Sequence, residues 1–166
     1  MFLDETGAKT NMTRLFARAR RGERAVDFAP HGHWNTMTLV AAMTADCAIA
    51  PMVLDGPMDS LAFEAYVEQV LIPALPPNAI VIMDNLAAHK PPAISRILEG
   101  AGAELRYLPP YSPDLNPIEQ MWANVKNTLR SLKARTEQEL HETIAIALRQ
   151  ITPSDTRGFF VSASYV

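Results

Sequence analysis

Residues 79–85 read Ala79-Ile80-Val81-Ile82-Met83-Asp84-Asn85. Five consecutive apolar residues follow the turn-forming Pro76-Pro77-Asn78, and a carboxylate closes the run. Strands exposed on one face alternate apolar and polar residues, whereas strands covered on both faces by helices are apolar throughout. Residues 79–83 are therefore predicted to form a central strand in a helix-covered sheet. Working outward, Met37–Thr44 and Ala48–Leu54 flank Ala45-Asp46 as a predicted hairpin. Pro51 confines the second of these strands to a sheet edge or a bulge, because proline cannot donate to the ladder. Glu104–Leu108 is a further short strand, and Phe2-Leu3 the end of another. Helical patterns separate them. Phe63, Tyr66, Val67, Val70 and Leu71 repeat at helical spacing up to Pro73, Pro92–Glu99 ends at Gly100-Ala101-Gly102, and Thr136 and Thr152 each open a capped helix. The fold class is α/β with a mixed sheet.

The 166 residues make one domain, 48% hydrophobic and 20% charged, which excludes a disordered tail. The net charge of −3 argues against a dedicated basic nucleic-acid binder only until it is mapped along the chain. Residues 34–88 hold six acids and no Lys or Arg, while residues 1–33 carry six bases against four acids and residues 89–166 nine against eight. One cysteine, Cys47, excludes an internal disulfide or a multi-cysteine zinc site and reads as a small buried hydrophobe in a reducing compartment. The N-terminus has no secretory pattern and no apolar run reaches membrane-spanning length, so an intracellular protein with no membrane partner is expected.

Three acids stand at structurally telling places. Asp84 ends the central apolar run, where open α/β sheets present ligands, although an Asp-Asn pair also starts ordinary turns. Asp4 is predicted to stand in the same relation to Phe2-Leu3. Glu119 falls at the third position of a helix opened by Asn116 and Pro117, so a capping box alone would account for it. Behind it, Ile118, Met121, Trp122, Val125, Leu129 and Leu132 form an apolar stripe. Lys126, Arg130 and Lys133 lie about −20°, +20° and −40° around the helix from Glu119 at 100° per residue. That places a column of cations under one carboxylate, suited to phosphate contact. Carboxylates without His or Cys partners suit a hard, oxygen-preferring ion such as Mg²⁺ or Mn²⁺.

Three sequence words take the reading further. They are Leu3-Asp4-Glu5-Thr6-Gly7; Asp84-Asn85 with His89 five residues beyond Asp84; and Tyr107-Leu108-Pro109-Pro110-Tyr111-Ser112-Pro113-Asp114-Leu115-Asn116-Pro117-Ile118-Glu119. Thirty-four residues separate Asp84 from Glu119. With these words the chain resembles the catalytic domain of DDE transposases, and more closely the mariner-type superfamily of bacterial insertion sequences. The resemblance implies an RNase H-like fold, a mixed five-stranded sheet flanked by helices. It implies Asp4, Asp84 and Glu119 as catalytic residues and ligands of two Mg²⁺ or Mn²⁺ ions. The implied chemistry is hydrolysis of a strand at a transposon end, then attack of the freed 3′-hydroxyl on target DNA.

The same resemblance sets further expectations. Asn85 and His89 are expected to support the site from behind, and Arg14, Arg18, Arg20, Arg21 and Arg24 to touch DNA phosphates together with Lys126, Arg130 and Lys133. The bland alternative for the arginines is a solvated turn; for His31 and His33 it is a loop leading into Trp34. Expected partners are double-stranded DNA, both transposon ends and target, and either a second copy or a full-length or helix-turn-helix-bearing transposase, in a bacterial cytoplasm. Residues 1–166 read as the catalytic domain alone, with the helix-turn-helix region that precedes it in the family absent. Another RNase H-like nuclease, or a decayed or regulatory fragment that does not cut, are the competing readings.

Overall fold

The computed structural model describes residues 1–31, 34–85 and 92–165; His33 and His89 lie outside them. Five strands form one sheet: β1 (Phe2–Lys9), β2 (Thr36–Met43), β3 (Ala48–Asp55), β4 (Ile80–Met83) and β5 (Glu104–Tyr107). Their spatial order is β3-β2-β1-β4-β5. The first three are antiparallel, whereas β4 runs parallel to β1 and β5 parallel to β4. This is the mixed, open, helix-flanked sheet of the RNase H-like class.

Each helix has a local cause. Helix α1 (Ser60–Tyr66) begins where the Asp59 carboxylate accepts from the Ala62 N–H at 2.8 Å. It continues as a π-helical stretch, Val67–Leu71, and a 3-10 turn, Ile72–Ala74, where Pro73 ends the run. Helix α2 (Pro92–Gly100) follows, then α3 (Pro117–Leu132), α4 (Glu137–Arg149) and α5 (Pro153–Ser162). Thr136–Glu139 and Thr152–Asp155 form the capping boxes expected of them.

Strand alternation sorts the core into two layers. Phe2, Ala8, Met37, Leu39, Ala41 and Met43 face Ile118, Met121, Trp122 and Val125 of α3 and Leu140 and Ile144 of α4. Leu3, Val40, Ala42, Val81 and Met83 face Phe63, Tyr66, Val67 and Leu71 on one side and Ile94 and Leu98 of α2 on the other. Both faces of the central strands are thus covered, which is why residues 80–83 can be apolar without interruption.

Pro51 sits on the edge strand β3, and the β2–β3 register slips beside it: Val40 pairs with Met52 but Ala42 with Ile49. Two residues, Ala50 and Pro51, oppose one, a bulge that lets proline sit where no N–H is needed.

Three expectations are corrected. Strand β1 does not end at Leu3; it runs through Lys9 because β2 pairs with it along its whole length. Asp4 therefore lies within a strand instead of at its tip. Cys47 is exposed, since it occupies the β2–β3 turn and not the strand interior. Leu132 is 51% exposed and drops out of the α3 stripe, because the helix ends there and turns away.

Candidate active site

The site grows from the register of β1 against β4. Phe2 is level with Ile82 and Leu3 with Met83, so the next residues along, Asp4 and Asp84, emerge side by side. Asp4 shares strand parity with Phe2 and Ala8, which pack toward α3. Asp84 has the parity of Ile82, which packs against the same layer. Asp4 is buried, at 7% exposure, and Asp84 half-buried. Both acids thus belong to the face over which α3 crosses.

Glu119 arrives on a different element, the first turn of α3. The chain leaves β5 through Leu108-Pro109-Pro110-Tyr111-Ser112, makes a 3-10 turn at Pro113–Leu115, and enters α3 at Pro117. Four prolines stiffen the connection. Asn116 N–H donates to the Pro113 carbonyl at 3.0 Å, and Glu119 N–H donates to the Asn116 carbonyl at 3.1 Å. Tyr165 holds the loop from behind, its hydroxyl donating to the Leu115 carbonyl at 2.9 Å.

Asp84, Asn85, Asn116 and Glu119, with Leu108, Pro109, Pro110, Tyr111, Ser112 and Pro113, line a cleft of about 290 Å³. The structure thus brings Asp84, Asn85 and Glu119 together, with Asp4 alongside through the β1–β4 register. His89 lies outside the described residues. As they stand, no three His, Cys, Asp or Glu side chains among the described residues are drawn closely enough to hold one ion. The donor chemistry nonetheless fits Mg²⁺ or Mn²⁺, since the described residues lining this cleft offer carboxylate, amide and hydroxyl oxygens and neither His nor Cys.

The capping box expected at Glu119 does not form. Asn116 occupies the N-cap position, yet its side chain makes no cap hydrogen bond. At 5% exposure its Oδ1 is buried and finds no donor among the described residues, and the same holds for Asn85 Oδ1. The 3-10 turn delivers Asn116 at ψ 92°, and its amide is spent on the cleft wall instead of on the helix end. Glu119 loses its purely structural explanation. Asn116 and Tyr111 are the cleft residues that sequence reasoning missed. Asn116 looked like an ordinary cap, while Tyr111 stood in the proline-rich word without a role.

The cations divide. Lys126 and Arg130 lie on α3, but Lys133 does not continue the column: it takes the left-handed conformation, φ 55°, that ends the helix. Its ammonium pairs with Asp27 at 2.6 Å, and this contact, with the Phe28 N–H beside it, holds the Asp27 carboxyl below its ordinary range. Arg14 and Arg130 line one surface groove with Leu15, Phe16 and Asn127. Arg18, Arg20, Arg21 and Arg24 are exposed in the β1–β2 connection, where Glu23 N–H donates to Arg20 C=O across a turn with Gly22 at φ 90°. His31 is exposed in the same connection. Among the described residues, no helix is long and apolar enough to cross a membrane.

Known proteins align with this arrangement. The Tcb1 transposable-element transposase of Caenorhabditis briggsae is 24% identical over 124 residues, covering 72% of this chain and 45% of that protein. The Mos1 transposase paired-end complex with left transposon end superposes with a TM-score of 0.76 at 16% identity, over 98% of this chain and 51% of that one. The Mos1 mariner paired-end complex with Mn gives 0.75 at 16% identity, over 98% and 51%. These likenesses show that the fold is that of the mariner transposase catalytic domain, and the chain spans about half the length of the relatives it matches. The family described as DDE superfamily endonuclease matches residues 1–141, which include Asp4, Asp84 and Glu119. With the shared fold and that match over most of its length, this chain belongs to the DDE superfamily of endonucleases.

Proposed function

We propose that the chain is the catalytic domain of a transposase that cuts DNA at transposon ends and transfers the freed strand to target DNA. The observation that carries this reading is one cleft lined by both Asp84 and Glu119, with Asp4 on the strand adjoining Asp84. In the first reaction a water oxygen bonds to phosphorus, the P–O3′ bond breaks, and the 3′ oxygen leaves with a proton as a hydroxyl. In the second, that 3′-hydroxyl oxygen attacks a target phosphate and displaces another 3′ oxygen, so one phosphodiester replaces another.

Asp4, Asp84 and Glu119 would hold two Mg²⁺ or Mn²⁺ ions. Bound there, such ions supply Lewis-acid charge that activates the nucleophile and offsets charge on the leaving oxygen. The residues themselves do the remaining work. The β1–β4 register sets Asp4 on the strand beside Asp84, which lines the cleft, and the proline-stiffened loop brings Glu119 to the same cleft on the first turn of α3. Asn85 and Asn116 add amide oxygens that can orient water. Lys126, Arg130 and the arginines between β1 and β2 would meet phosphates by charge. The Tcb1 and Mos1 likenesses, including the Mos1 paired-end complex with a transposon end, support DNA as substrate; on this reading the chain assembles with a second copy or a helix-turn-helix-bearing transposase. The insertion-sequence wording of the chain supports action on DNA in a bacterial cytoplasm.

Strand transfer is tested with a labelled duplex and a supercoiled plasmid in Mn²⁺. A free 3′-hydroxyl should give covalently joined product and a 3′-dideoxy end none. Joining that ignores the 3′ end would refute the transferase reading.

A further inference from the structure

Tyr111 combines two features that folding alone does not favour. It is a fully exposed aromatic side chain, and its backbone is left-handed at φ 56°. A bulky residue there is an outlier, where glycine or asparagine would be at ease. Nothing is gained by burying the ring. The residue stands between Pro109-Pro110 and Pro113, whose fixed φ stiffens the loop, with the Ser112 hydroxyl donating to the Pro110 carbonyl at 3.3 Å. It lines the same cleft as Asp84 and Glu119.

We propose that Tyr111 is a stacking platform for an unpaired nucleobase next to the scissile phosphate. This inference rests on the nuclease reading above and names how the substrate is seated. Duplex bases stacked on one another leave no face for a side chain, so the occupant is a base at a frayed or single-stranded end. A tyrosine ring has only two side-chain torsions to fix on stacking, and this one already lines the cleft. Stacking on an aromatic is tolerant of base identity, so this contact seats a strand without reading its sequence.

The test uses two fluorescein-labelled duplexes, one with a three-nucleotide single-stranded 3′ end and one blunt. Wild type should bind the first more tightly. Tyr111→Asn, which keeps a residue at ease in the left-handed conformation, should weaken that binding roughly fivefold to a hundredfold and leave the blunt duplex unchanged. Its melting temperature should equal or exceed the wild-type value. Tyr111→Phe should stay within about twofold of wild type, because the ring face and not the hydroxyl makes the contact. The inference is overturned if Tyr111→Asn binds the overhang as wild type does, if Tyr111→Phe loses as much as Tyr111→Asn, or if wild type shows no overhang preference. Asp84-dependent plasmid nicking in Mn²⁺ separates the two readings: nicking retained with no overhang preference sinks the stacking platform alone, and no nicking sinks the nuclease.

Discussion

The Tyr165 hydroxyl donates to the Leu115 carbonyl at 2.9 Å while its ring meets the Phe2 ring edge-on at 4.9 Å. One residue thus ties the loop that delivers Glu119 to the strand that carries Asp4. Tyr165→Phe should keep the ring contact and lose about 1 kcal/mol of stability in urea denaturation, the usual net worth of one hydrogen bond. Tyr165→Ala should cost about 0.5–1.5 kcal/mol more through the lost ring pair.

Asn116 makes a contrast with the two formed caps. Thr136→Ala and Thr152→Ala should each cost about 1 kcal/mol, because both hydroxyls accept from helix N–H groups. Asn116→Ala should cost less than about 0.5 kcal/mol, since it removes no cap and relieves a buried acceptor without a donor. Nicking activity should fall in Asn116→Ala alone. Parallel chemical denaturation of the three variants checks the first part and a plasmid assay the second.

Acid sensitivity should trace to the same caps. Asp155 is held below its ordinary value of 3.8 by hydrogen bonds from the Thr152 hydroxyl and then its N–H. Glu139 is held below 4.5 by the N–H groups of Arg135 and then Thr136. A carboxylate whose pKa is lower in the folded state stabilises fully above its unfolded value, and this contribution fades as pH falls through the folded value. Wild type should therefore lose stability below about pH 4, and Asp155→Asn should show a shallower acid limb in a series of melts. An unchanged limb would remove the Thr152–Asp155 box from the account.

DNA affinity should separate the α3 cations. Lys126→Ala and Arg130→Ala should each lower the slope of log affinity against log salt by about 1. Lys133→Ala should change it less, because Asp27 already neutralises that ammonium. Fluorescence anisotropy across a salt series distinguishes them.

How far the sequence could be read follows from which interactions decide each element. The uninterrupted apolar run before Asp84, the hairpin strand at Met37–Thr44 and the Thr136 box are local patterns, and each appears in the structure where the pattern puts it. Strand β1 is different. Glu5 and Gly7 are weak strand formers, and pairing with β2 along the full length extends the strand past Asp4. Lys133 ends α3 in the left-handed conformation that glycine usually signals, so a helical wheel carried it one residue too far. Asn116 fits the cap pattern by residue type, but the Pro113–Leu115 turn decides where its amide goes. The acids at 4, 84 and 119 were legible as candidates from spacing and resemblance; the neighbouring places of Asp4 and Asp84 required the β1–β4 register.

The central claim is that Asp84 and Glu119 serve one metal-dependent cutting site. Nicking of supercoiled plasmid in Mn²⁺, with wild type, Asp84→Asn and Glu119→Gln compared at equal folded fraction by circular dichroism, tests it most directly. The account predicts nicking by wild type that disappears with chelator, and at least about a hundredfold loss in each variant, the scale expected when an essential group in a phosphoryl-transfer site is removed. Equal nicking by all three proteins would contradict it.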